Sequence, residues 1–154
     1  MVNIRPKTSV LMNIAGVGET HSRSKITVRD VTSTIDEPLE RHGTNEGLTP
    51  TETMMASLIG CTNVISNKIA KKMGIEIERM DIKLTAEFDR RGTMLEEEVE
   101  QPFSNIVMHI EVSTDADTDQ IEALRVDLEK YCPIAKVLRG SGIKITENWK
   151  VKSR

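Results

Sequence analysis

Between Thr49 and Gly74 the chain reads TPTETMMASLIGCTNVISNKIAKKMG, its longest apolar stretch. Met54, Leu58, Cys61, Ile65 and Ile69 recur at three- and four-residue steps, the repeat of one helix face. Met55, Ala56, Ile59 and Val64 widen that stripe to most of the circumference. The pattern predicts a helix over residues 50–73 that is buried on several sides. Its ends are marked by local chemistry. Thr49 suits the N-cap and Pro50 the first helical position, where a missing N–H costs nothing. Glu52 follows Thr49 at the capping-box spacing. Lys71 and Lys72 suit the negative end of the helix dipole, and Gly74 suits a left-handed residue just past it.

Elsewhere the period is two. Residues 8–15, TSVLMNIA, and 25–31, KITVRDV, predict two strands, paired as a hairpin over 8–31 around a turn at residues 16–22. Residues 36–48 are a polar loop that delivers Arg41 close to the start of the long helix. Met80, Ile82, Leu84, Ala86 and Phe88 alternate with polar residues, and NIVMHIEVS at 105–113 continues the theme, so strands occupy 78–113. His109 alternates against Ile106, Met108 and Ile110, which places it on the wet face. Between these strands Glu96, Glu97, Glu98 and Glu100 mark a solvated turn, with an interaction patch as the alternative. Asp117 or Thr118 caps a second helix over 118–131, whose apolar face is Ile121, Leu124 and Leu128. Cys132-Pro133 opens a short helix over 133–139, and Ile143, Ile145, Trp149 and Val151 place a last strand over 143–151. The sum is an α+β fold, mostly antiparallel sheet with grouped helices, in one domain over 1–154.

Composition narrows the function classes. Only Phe88, Phe103, Tyr131 and Trp149 are aromatic, so the core is small and aliphatic. A homodimer would supply the missing burial. A net charge of −3 argues against nucleic-acid binding. No apolar run has the length of a membrane span, and MVNIRPKTSV lacks the apolar segment of a signal peptide. The expected location is cytoplasmic. His21, His42 and His109 are scattered and neither cysteine lies in a C-x-x-C motif, so no metal-ligand spacing is present.

Two cysteines in such a chain can be buried spectators. Their local settings differ, however. With Pro133 at the first helical position, Cys132 is an N-cap, where backbone N–H groups and the helix dipole favour a thiolate. Cys61 sits among apolar residues that oppose its ionisation. It becomes reactive only if a cation reaches it, and Arg41 and Arg23 are the upstream candidates.

GLTPTETMMASLIGC taken with YCPIAKVL resembles the osmotically inducible protein C and organic hydroperoxide resistance (OsmC/Ohr) family. The resemblance covers most of the chain. It implies sheets wrapped around two long central helices, in an intertwined dimer. It also implies a cysteine-dependent peroxidase that reduces organic hydroperoxides without metal, haem or flavin. Cys61 would be the peroxidatic thiol and Cys132 the resolving thiol. Arg41, or Arg23, would hold the Cys61 thiolate together with a glutamate, and an external dithiol of lipoyl or thioredoxin type would restore the pair. In the peroxidases the glutamate directly follows the helix-start proline. Here that position is Thr51, and the carboxylate is displaced to Glu52, a rotation of roughly 100° on a helix. Glu52 thus has two candidate roles, in the site and in the capping box. Met54, Met55 and Leu58 would favour alkyl or fatty-acyl peroxides. The alternative is a non-catalytic relative that binds an apolar small molecule or a partner.

Overall fold

The computed structural model describes residues 8–152. The outermost residues of the expected single domain, 1–7 and 153–154, lie outside the described residues. The chain divides into two compact units, Met1–Thr53 and Met54–Arg154.

The first unit is a three-stranded antiparallel sheet of β1 (Ala15–Gly18), β2 (Ser24–Val28) and β3 (Val31–Ile35). The strand expected over 8–15 is not there. The turn closes where Glu19 N and Thr20 N donate to Arg23 O at 2.8 and 3.2 Å. That turn sets Gly18 opposite Ser24 and Ala15 opposite Thr27. Residues 8–14 therefore run past the end of β2 with no partner, and Leu11 is 95% exposed. The strand expected over 25–31 is also two strands. The chain reverses at Arg29, whose φ of +56° lies in the left-handed region, and Val28 pairs with Val31. Within the polar loop, Leu39–Arg41 form a single 3-10 turn.

This unit is organised around a buried carboxylate. Asp36 is fully buried and accepts from Ser22 Oγ (2.9 Å), Thr44 Oγ1 (2.5 Å), Thr44 N (2.9 Å) and Glu46 N (3.2 Å). Gly43 closes the same loop. A Cβ there would lie 1.8 Å from the carbonyl oxygen of Glu37.

α1 (Pro50–Met73) follows the predicted bounds, and its caps form as the residues suggest. Glu52 N donates to Thr49 Oγ1 at 3.2 Å, and Thr49 N donates to Glu52 Oε2 at 2.9 Å, closing the capping box. At the other end Gly74 takes φ +73°, and Ile75 N reaches back to Ala70 O at 2.9 Å.

In the second unit, β4 (Ile77–Phe88), β5 (Phe103–Thr114) and β6 (Lys144–Lys152) form a sheet with β5 in the centre. β4 pairs antiparallel and β6 parallel to β5. A parallel neighbour needs a crossover, which α2 (Thr118–Tyr131) and α3 (Pro133–Gly140) supply. Asp117 caps α2 with a complete capping box to Gln120. On β5, Ile106, Met108, Ile110 and Val112 are at most 1% exposed, whereas His109 points to solvent as the alternation predicts. These β5 residues other than Val112 share one core with Met55, Leu58 and Ile69 of α1, with Leu124 and Leu128 of α2, and with Ala135 and Leu138 of α3. Thr62 and Ser66 join the buried side of α1, so that side is less purely apolar than the stripe of Met, Leu and Ile suggests. No helix among the described residues is long and apolar enough to cross a membrane.

Candidate thiol site

The second unit brings its two cysteines together. Cys61 lies in the middle of α1 and is half-buried, while Cys132 lies between α2 and α3 and is 1% exposed. Their sulfurs are 3.0 Å apart across 71 positions of sequence, with Cys132 donating its S–H to Cys61. Both are free thiols. A disulfide needs about 2.0 Å between sulfurs, so roughly 1 Å of approach would join them.

Cys132 holds its place through two helices. Its backbone N–H ends α2 by donating to Leu128 O at 2.9 Å. Its Sγ caps α3 by accepting from Ala135 N at 3.5 Å, with Pro133 in the first turn. The capping geometry is the one the sequence predicts, but the acidity is not. Burial, and next the hydrogen bond to Cys61, push the Cys132 thiol up to about 11. The Ala135 and Ile134 amides act in the opposite direction and are outweighed. The N-cap expectation of an acidic Cys132 is therefore overturned: two amides do not compensate for removing a thiolate from water.

The other predicted site residues have these settings. Met55 and Leu58 are core side chains at 8% and 1% exposure, and Met54 is partly buried against the same core. Glu52 is engaged by the capping box of α1. In the first unit, Arg41 pairs with Glu37 at 2.7 Å. Arg23 bridges Glu19 at 3.0 Å and Glu46 at 2.8 Å, and Glu46, the first cause, raises its already high pKa. These carboxylate partners are not evident in the sequence reading. The i,i+4 spacing of Glu37 to Arg41 and of Glu19 to Arg23 is the signal that could have found two of them. Among the described residues, no group of three or more His, Cys, Asp or Glu side chains is placed to hold a metal ion.

The arrangement is suited to dithiol chemistry: one accessible thiol and one buried thiol, close enough to exchange a bond after a small movement. Solved structures with the same fold are numerous. An OsmC-like protein from Mycoplasma pneumoniae is 20% identical, with a TM-score of 0.79 over 94% of this chain and 99% of that one. The organic hydroperoxide resistance protein OhrB of Bacillus subtilis is 20% identical, with a TM-score of 0.60 over 92% of this chain and 98% of that one. An organic hydroperoxide resistance protein OsmC from Legionella pneumophila is 16% identical, with a TM-score of 0.66 over 95% of this chain and 99% of that one. No curated protein is a significant match in sequence. The family profile described as OsmC-like protein matches residues 43–148, which include both cysteines and the capped start of α1. The chain belongs to the OsmC-like family.

Proposed function

We propose that this protein is a thiol peroxidase that reduces organic hydroperoxides. The observation that carries the reading is the 3.0 Å approach of a half-buried Cys61 to a buried Cys132. The family includes organic hydroperoxide resistance proteins, which adds support at the level of kinship. In the first step the Cys61 thiolate attacks the O–O bond of ROOH. One oxygen stays on sulfur as the sulfenic acid, and the other leaves as ROH after taking a proton. The Cys132 thiol then displaces that oxygen as water and forms the Cys61–Cys132 disulfide. An external dithiol reduces the disulfide and leaves as its own cyclic disulfide. No cofactor enters these steps.

Arg41 is proposed as the cation that supports the thiolate, with Arg23 the alternative, on the strength of the sequence resemblance. Of Met54, Met55 and Leu58, Met54 is the one left partly exposed for contact with an alkyl peroxide, since Met55 and Leu58 are packed inside. A homodimer remains part of the proposal. Val64 on α1 is 49% exposed in the single chain, which leaves apolar helix surface for a second copy to cover. Sedimentation equilibrium at low micromolar concentration should give about twice the chain mass.

One observation favours a second reading, that of a non-catalytic binding protein. Glu52, the carboxylate nearest the family position, is already used by the capping box. A thiol count separates the two. One equivalent of cumene hydroperoxide should remove two free thiols per chain, and Cys61→Ser should abolish the loss. An unchanged thiol count, or peroxide consumption by Cys61→Ser at the wild-type rate, would exclude the peroxidase.

A further inference from the structure

We infer that the reductant enters the oxidised pair at Cys61 and expels Cys132, so that the mixed disulfide forms predominantly on α1 and not on the α2–α3 corner. The inference rests on the thiol-pair reading above and adds the direction of its second half-reaction. Thiol–disulfide exchange requires the incoming thiolate to reach the sulfur it attacks. Cys132 is 1% exposed and lies between two helices, with Leu128 of α2 and Ala135 and Leu138 of α3 beside it in the same buried core. Cys61 is half-buried on α1 and is the member of the pair that solvent touches. The approach of about 1 Å needed to join the sulfurs is too small to carry Cys132 to the surface.

The exchange balances as follows. The thiolate RS− bonds to Cys61 Sγ, the Cys61–Cys132 bond breaks, and its electron pair leaves on Cys132. Ala135 N, 3.5 Å from that sulfur, faces the departing charge, and a proton then neutralises it. The second thiol of the dithiol, as thiolate, attacks the R sulfur and releases Cys61 as a thiolate. Leaving-group acidity alone would favour the opposite direction, because the buried Cys132 is a weak acid. Access decides, since a sulfur that cannot be reached is not attacked. The second thiol of the dithiol resolves the mixed disulfide in competition with the return of Cys132.

The test uses the wild-type chain and a monothiol. The disulfide is made with diamide, which requires no peroxidase activity, and is treated with one equivalent of 2-mercaptoethanol. The mixture is quenched in acid, alkylated and mapped by mass spectrometry. The adduct is expected on Cys61 in excess of Cys132 by about tenfold or more. An adduct found equally or mainly on Cys132, with peroxide consumption intact, overturns the direction and leaves the peroxidase reading standing. Failure of both diamide and cumene hydroperoxide to form an internal disulfide overturns the inference and the thiol-pair reading together.

Discussion

The acidity of Cys132 can be tested in isolation in Cys61→Ser, which leaves burial, the larger cause of its shift, in place. With a pKa of about 11, the thiolate fraction of Cys132 at pH 7 is about one in ten thousand. A free cysteine with a pKa of about 8.5 is about 3% thiolate at the same pH. Ionisation alone therefore slows alkylation of Cys132 about 300-fold, before any loss from poor access. The assay is the rate of iodoacetamide addition to Cys132, followed by intact mass from pH 7 to 10.5 in the absence of peroxide. Loss of the Cys61 partner lowers the value somewhat, since its hydrogen bond is the second cause of the rise. The logarithm of the rate should still climb by about one per pH unit through pH 9. A plateau beginning below pH 8.5 would refute the reasoning, because it would mean that the α3 amides outweigh burial after all.

Three further outcomes follow from the packing and hydrogen bonds. Leu58→Ala removes a fully buried side chain from the core of the second unit and should cost about 2–5 kcal/mol in urea unfolding, with an unchanged m-value. Hydrogen bonds, led by that from the Thr44 hydroxyl, hold the Asp36 carboxyl far below the usual carboxylate range. Its contribution to stability is thus complete above about pH 4 and is lost as pH falls toward the much lower folded value. Asp36→Asn should lower stability at pH 7 and flatten this acid limb, and an identical acid limb in the variant would contradict the assignment. Gly43→Ala forces a Cβ against the Glu37 carbonyl and should break the Gly43–Pro38 and Asn45–Glu37 backbone bonds. Amide exchange at residues 43 and 45 should accelerate by about tenfold or more.

The elements that are legible in the sequence are those whose ends are fixed by nearby residues. Thr49-Pro50 with Glu52, Asp117 with Gln120, and Cys132-Pro133 each mark a helix start through one local side chain, and the helices begin there. β4 and β5 are legible because one face is wet and the other dry over many residues. Pairing is harder to see. TSVLMNIA has the composition of a strand, but the partner's register leaves it beyond the end of β2. The reversal at Arg29–Asp30 carries no glycine or asparagine to announce it. The thiol site divides along the same line. The cap position of Cys132 is local and legible, whereas its burial and its approach to Cys61 are tertiary facts. The family resemblance implied a working pair, but no spacing rule gives 3.0 Å across 71 residues. Nor does composition reveal that Arg23 is shared between Glu19 and Glu46.

The carboxylate at the centre of the first unit has a thermodynamic consequence. Among the described residues of Met1–Thr53, no apolar side chain is fully withdrawn from water, and the buried side chains are Asp36 and Thr49. Heat-capacity change on unfolding comes mainly from newly wetted apolar surface, and exposed polar groups subtract from it. This segment should therefore add little to the heat-capacity increment of the whole chain. Its own contribution to the stability curve should be nearly flat with temperature, while the aliphatic core of the second unit supplies most of the curvature.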